Sequence, residues 1–194
     1  MRFEYPEAAT PLNPNESEGL LLSLSTQAEL NEFELLNITQ AVAWAGRDPK
    51  VRKQLLSPET LRLLHQKMFE EVWRWAGTYR LTEKSIGVEP HRIGVELKNL
   101  CDDALVWLQH ETYPPDELAA RLHHRLVSIH PFPNGNGRHA RLAADLLCRN
   151  QRWLLFTWGS ANLVQPGKAR ARYIAALQAA DRGDFEPLVA FARS

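Results

Sequence analysis

Cysteine is scarce in this chain of 194 residues, which has only Cys101 and Cys148. Both fall in apolar helical patterns without metal-ligand spacing, so no cysteine metal site is expected and the usage suits a reducing compartment. Net charge is absent too: Lys plus Arg and Asp plus Glu each total 23. That balance removes any bulk electrostatic reason to expect nucleic acid or an anionic membrane as partner, although it leaves specific contacts open. No apolar run approaches 18 residues and no signal peptide is evident, so neither a membrane span nor export is expected and a cytoplasmic location is. Repeats and low-complexity segments are also missing. What is present is 44% hydrophobic and 24% charged residues, enough for one domain with its own core.

Residues 1 to 24 carry Pro6, Pro11 and Pro14 among polar side chains, which predicts an irregular arm ending at Leu20 to Leu22. Ser25 or Thr26 then caps a helix over about 25–46, with Glu29, Glu32 and Glu34 in its first turns, where the dipole favours acids. A second helix starts at Ser57 with Pro58 in its first position and runs through Leu61, Leu64, Met68, Val72 and Trp75 until Gly77 stops it. From Thr78 to Arg92 strand formers such as Tyr79, Thr82, Ile86 and Val88 predict a short β-hairpin. Helices follow over about 93–110, 116–129, 138–150, 168–180 and 186–192, with Trp153 to Trp158 as an apolar connection. The fold class is therefore all-α with one small hairpin, residues 25–194 forming a single domain behind the arm.

One stretch concentrates chemistry: His130, Pro131, Phe132, Pro133, Asn134, Gly135, Asn136, Gly137, Arg138, His139, Ala140, Arg141. The prolines forbid helix through the turn, and Gly135 and Gly137 allow backbone closed to other residues, so main-chain N–H groups can converge on an anion. Helix formers follow, which puts the turn at a helix N-terminus where a phosphate is favoured. Arg138 and Arg141, three apart, share one face and can grip one polyphosphate, although such a pair seen alone reads as a solvated face. His130 is the one side chain of the turn able to take a proton near neutral pH, with an ordinary pKa of about 6.5. His123, His124, His130 and His139 do not form a metal motif: no His-Glu-x-x-His pair is present, and His123 and His124 point to different sides of one helix. His139 is expected to face solvent or a nucleotide edge. Trp73, Trp75 and Trp107 fit core or groove lining.

These twelve residues match the Fic-family signature H-P-F-x-(D/E/N)-G-N-G-R-x-x-R at every specified position, and the chain as a whole resembles the small Fic-domain proteins called mobile mystery protein B. The resemblance implies a Fic-domain helical bundle with a hairpin flap. It also implies a protein adenylyltransferase, in which His130 deprotonates a Ser, Thr or Tyr hydroxyl of a target protein. That hydroxyl attacks the α-phosphate of ATP, so AMP is transferred and pyrophosphate leaves. Self-modification is an allied possibility, and oligomeric state stays open. Phe132 would anchor the turn in the core. Asn134 stands where many members have an acid that holds Mg²⁺, so an amide oxygen would be the metal contact. Asn136 with Gly135 and Gly137 would complete the anion cradle, with Arg138 and Arg141 on the outer phosphates.

Within the family, Doc-type toxins that phosphorylate carry Lys in place of Gly137, and phosphocholine transferases carry Ala in place of Gly135, so both glycines here imply AMP transfer. Thr82, Lys84, Ser85, Ile86 and Gly87 would form the flap edge that docks an extended target segment, unless the hairpin merely covers the core. The family's inhibitory pattern (S/T)-x-x-x-E-(G/N) is best matched by Ser25 and Glu29, with Leu30 where Gly or Asn is expected; Glu29 would then pair with Arg138. The plain alternative makes Glu29 a dipole-stabilising acid of the first turn. Two other functions remain open: a hydrolase removing AMP from modified protein with Glu29 orienting a water, and a nucleotide-binding module without activity.

Overall fold

The computed structural model describes residues 10–160 and 167–194; residues 1–9 of the expected arm lie outside the described residues. Its helices, in order, are α1 (Pro14–Ser17), α2 (Gln27–Ala45), α3 (Pro49–Gln54), α4 (Pro58–Phe69), α5 (Ile93–Gln109), α6 (Pro115–Ile129), α7 (Asn136–Gln151), α8 (Lys168–Asp181) and α9 (Glu186–Arg193). Thr26, not Ser25, caps α2: its hydroxyl accepts the Glu29 N–H at 3.2 Å while the Glu29 carboxylate accepts from the N–H groups of Ser25 at 2.7 Å and Thr26 at 3.1 Å. This reciprocal pair satisfies donors that the first helical turn leaves orphaned. Ser57 caps α4 by accepting the Thr60 N–H at 3.2 Å, and Asp48 caps α3, a helix that the sequence reading did not separate from its surroundings.

The antiparallel pair α6 and α7 forms the spine, because the signature turn between them is short and both present apolar faces inward. Leu118, Leu122, Leu126 and Ile129 of α6 meet Ala140, Ala143, Ala144 and Leu147 of α7, where small residues let the two backbones approach closely. Leu61, Leu64 and Met68 of α4 and Leu97, Leu100 and Ala104 of α5 complete this core, which also contains both cysteine side chains as free, buried thiols. A second cluster, with Tyr173, Ala176, Leu188 and Phe191, packs α8 and α9 against Ala120 of α6.

Two elements differ from expectation. α4 stops at Phe69 rather than continuing to Trp75, since backbone groups that a longer helix would use pair with the arm instead. The Leu21 N–H donates to the Val72 carbonyl at 2.9 Å, and the Arg74 N–H donates to the Gly19 carbonyl at 2.8 Å. The hairpin between Thr78 and Arg92 does not form: among the described residues β pairing is limited to an isolated antiparallel bridge between Leu20 and Trp73. Arg80 replaces the missing ladder. Its buried guanidinium donates to the carbonyls of His130 (2.6 Å), Thr82 (2.8 Å), Val88 and Ile129 (3.5 Å), tying both limbs of the loop to the end of α6. Backbone bonds from Arg80 to Pro131 (2.9 Å) and from Val88 to Ile129 (3.3 Å) finish the attachment. No helix among the described residues is long and apolar enough to cross a membrane.

Candidate active site

His130 ends α6 in the left-handed conformation (φ 53°, ψ 58°), which turns the chain sharply out of the helix and aims the imidazole into a cavity of about 620 Å³. Five residues later Gly135, also left-handed at φ 78°, opens α7. A Cβ at Gly135 would stand 2.5 Å from the Phe69 ring, so glycine is required there twice over. Phe132 is fully buried and stacks on His65, with ring centroids 3.7 Å apart.

His65 is a residue the sequence reading missed. Its Nδ1 accepts the Gly77 N–H at 3.0 Å, which leaves Nε2–H to donate to the Asn134 carbonyl at 3.0 Å. One neutral imidazole thereby fixes both the turn and the end of the α4 connection. Burial and the neighbouring His139 hold its pKa well below the usual histidine range, consistent with that neutral role.

Asn136 lies in the cavity wall, as expected for the anion cradle, but with its backbone rather than its side-chain amide available there. Its side chain is turned inward, Oδ1 accepting the Phe132 N–H at 2.9 Å and Nδ2 donating to the Phe132 carbonyl at 2.8 Å, so it staples the turn. The first-turn N–H groups of α7, which have no side-chain cap, are left facing the cavity with Asn134, Arg138 and Arg141 in its wall. Asn134 Oδ1 accepts the Gly135 N–H at 2.6 Å. No group of three or more His, Cys, Asp or Glu converges among the described residues. Gly137, unlike Gly135, has no atom nearer than 3.7 Å to where a Cβ would lie, so folding alone does not demand it.

The electrostatics of the cavity are positive and incompletely neutralised. Burial pulls the Arg141 pKa down and the Arg138 charge adds to this, while Tyr173 and Asp145 oppose it. Burial raises the Asp145 carboxyl itself to about 6, and Trp158 Nε1–H donates to it at 3.0 Å. Arg138 donates to Glu34 Oε2 at 2.6 Å, and Glu34 Oε1 accepts from Trp73 Nε1–H at 2.6 Å.

This corrects the expected pairing of Glu29 with Arg138. The wall that α2 gives to the cavity comprises Gln27, Leu30, Asn31 and Glu34, the i, i+3, i+4, i+7 face of the helix, and Glu29 lies off that face, exposed and engaged at the cap with Ser25 and Thr26. The hydrolase reading loses its water-orienting residue by the same geometry. His139 is corrected as well, being buried with Nε2–H donating to the Leu61 carbonyl at 2.9 Å rather than facing solvent or ligand.

The His130 pKa is lowered to about 4, chiefly by burial, with Arg80 and Lys84 acting in the same direction and the Val127 backbone opposing them. The imidazole is therefore neutral at pH 7 and can accept a proton. Its Nε2 lies 2.9 Å from the hydroxyl of Thr10 in the arm. Of the expected flap residues, Ser85, Ile86 and Gly87 line the cavity beside His130. Thr82 and Lys84 instead hold the arm: Thr82 Oγ1–H donates to Glu16 at 3.0 Å, and Lys84 Nζ donates to the Pro11 carbonyl at 2.8 Å and to Glu16 at 2.5 Å.

A profile of the Fic/DOC family matches residues 55–148. The protein adenylyltransferase fic-1 of Caenorhabditis elegans is 36% identical over 123 residues, which cover 60% of this chain and 22% of that protein. The chain thus spans well under two thirds of the curated relative it matches. Among solved structures, the N-terminal Fic domain of Bep8 from Bartonella sp. 1-1C superposes with a TM-score of 0.70 at 16% identity, covering 91% of this chain and 90% of that one. BepC from Bartonella tribocorum, solved with bound AMPPNP, gives a TM-score of 0.68 at 19% identity over 93% and 97% of the two chains. The matched segment runs from just before α4 through most of α7 and contains the whole turn that aims His130 at the cavity, so the likeness to the Fic/DOC family lies in the residues that build the site.

Proposed function

We propose that the domain is a protein adenylyltransferase that moves AMP from ATP to a protein hydroxyl. The observation that carries this reading is a neutral, buried His130 whose Nε2 meets a hydroxyl at 2.9 Å in a cavity also lined by the open N-terminus of α7, Arg138 and Arg141. A general base has to stand within about 2.6 to 3.2 Å of the hydroxyl it deprotonates, and an anion has to meet fixed cations and N–H groups. Both conditions hold in one space. The acceptor oxygen attacks the α-phosphorus, its proton passes to His130 Nε2, and the bond to the β-phosphoryl oxygen breaks. Arg138 and Arg141 offset charge on the departing pyrophosphate. Gly137, free of packing demands, leaves room for the nucleotide against the α7 backbone.

Magnesium accompanying the nucleotide would be held in part by Asn134, the position the family resemblance implies. Asn134 Oδ1 would be a neutral ligand and already accepts the Gly135 N–H, so the phosphates and water would supply most of the coordination. Glu34 is the restraining acid in this reading. While it occupies Arg138, that guanidinium is not free for an outer phosphate. The target-docking role of the flap falls to Ser85, Ile86 and Gly87, with Thr82 and Lys84 available once the arm departs. The test is incubation of the chain with α-labelled ATP and a cell lysate. Labelled protein that disappears with His130→Ala is expected; label that persists with that variant would remove His130 as base.

A further inference from the structure

The segment that reaches the base is part of the chain itself. Residues 10–16 run along the flap and are fastened to it at several points: Lys84 to the Pro11 carbonyl and to Glu16, Thr82 to Glu16, and Asn13 Nδ2–H to Thr82 at 3.3 Å. The Trp75 Nε1–H holds the Glu16 carbonyl at 2.9 Å from the other side. α1 is closed on itself by a capping box between Asn13 and Glu16, which fixes the direction in which the chain leaves it toward Thr10. Thr10 is buried, and the partner of its hydroxyl is the Nε2 of His130. The arm also packs Leu12 against the main core, so its course beside His130 is held by apolar as well as polar contacts.

We infer that Thr10 is an acceptor of AMP in cis, so that the arm is the domain's own substrate segment; the inference rests on the adenylyltransferase reading above. The Thr10 Oγ forms the new bond to the α-phosphorus of ATP, and the bond from that phosphorus to the bridging oxygen of the β-phosphoryl group breaks. Pyrophosphate leaves with the electron pair. The hydroxyl proton goes to His130 Nε2 and from there to water. Ordering a loose segment is normally part of the cost of meeting a catalytic base, and here the Lys84, Thr82 and Trp75 contacts have met it in advance. Since one chain offers one Thr10, incorporation should level off at one AMP per chain.

The experiment uses the full chain with α-labelled ATP, alone and with lysate, followed by mass spectrometry of the peptide that contains Thr10. Wild type and Thr10→Ser should carry AMP on that peptide, and Thr10→Val should lose it to background. A thermal melt of Thr10→Val checks that it folds, and Thr10→Ser decides the matter if it does not. Label on other residues of the chain or only on lysate proteins, with the Thr10 peptide unmodified, overturns the inference and leaves the adenylyltransferase reading intact. Absence of label from both the chain and the lysate sinks that reading, and the inference with it.

Discussion

His130 is a base because of where it is buried. Its pKa of about 4 means that Nε2 is unprotonated throughout the neutral range, so the acidic limb of a pH–rate profile should have its midpoint near 4 to 5. A midpoint near 6.5, the ordinary histidine value, would show that the ring is solvated when it works. Glu34 makes a second prediction at the same scale. Its charge-assisted contact with Arg138 is worth roughly 1.5 to 3 kcal/mol, so Glu34→Gln, which keeps an acceptor for Trp73, should raise AMP transfer by about ten- to a hundredfold. Glu29→Gln should leave transfer unchanged; the reverse ranking in a label-incorporation assay would return the inhibitory role to Glu29. The sequence made the turn from His130 to Arg141 legible because its residue types are individually odd for packing. It misled about the acid because a linear pattern selected Glu29, while the helical face shared with Leu30 and Asn31 points to Glu34.

At the scale of elements, long periodic helices were readable and irregular connections were not. α5, α6, α8 and α9 fall within one or two residues of their expected bounds, as apolar spacing and flanking Pro or Gly dictate. The residues from Thr78 to Arg92 favour strands and so predict a hairpin, yet the segment is organised by one cation that no propensity scale weighs. Arg80→Lys tests this. A lysine retains the charge but lacks the planar fork that reaches four carbonyls, so buried oxygens lose their donors. The expected loss is about 2 kcal/mol or more, seen as a fall of roughly 4 to 8 °C in Tm, with AMP transfer reduced as the Ser85 to Gly87 wall loosens. A Tm within a degree of wild type would mean the loop is held by its backbone bonds to Ile129 and Pro131.

For the molecule as a whole, four buried histidines act together. Burial lowers the pKa of His65 well below its usual range, that of His123 to about 3, and those of His130 and His139 to about 4. In the unfolded chain each returns to about 6.5, so the unfolded state binds more protons in between. The stability these groups contribute is complete above pH 6.5 and is lost as pH falls toward 4, at up to roughly 1.4 kcal/mol per pH unit for each proton taken up. Denaturant midpoints should therefore hold from pH 7.5 to about 6.5 and fall from there to 4.5; a profile flat throughout would mean the rings are solvated in the fold.

The two thiols give that unfolding a reporter. Cys101 and Cys148 are almost wholly shielded, and burial pushes both pKa values up to about 12, so neither carries thiolate at neutral pH. An alkylating reagent can therefore modify them only when α5 or α7 swings open. Because Cys148 lies on the same helix as Arg138 and Arg141, the ratio of its alkylation rate to that of Cys101 measures how often the nucleotide-gripping helix parts from the bundle by itself. ATP should slow modification of Cys148 more than that of Cys101, giving a readout of binding that needs no turnover.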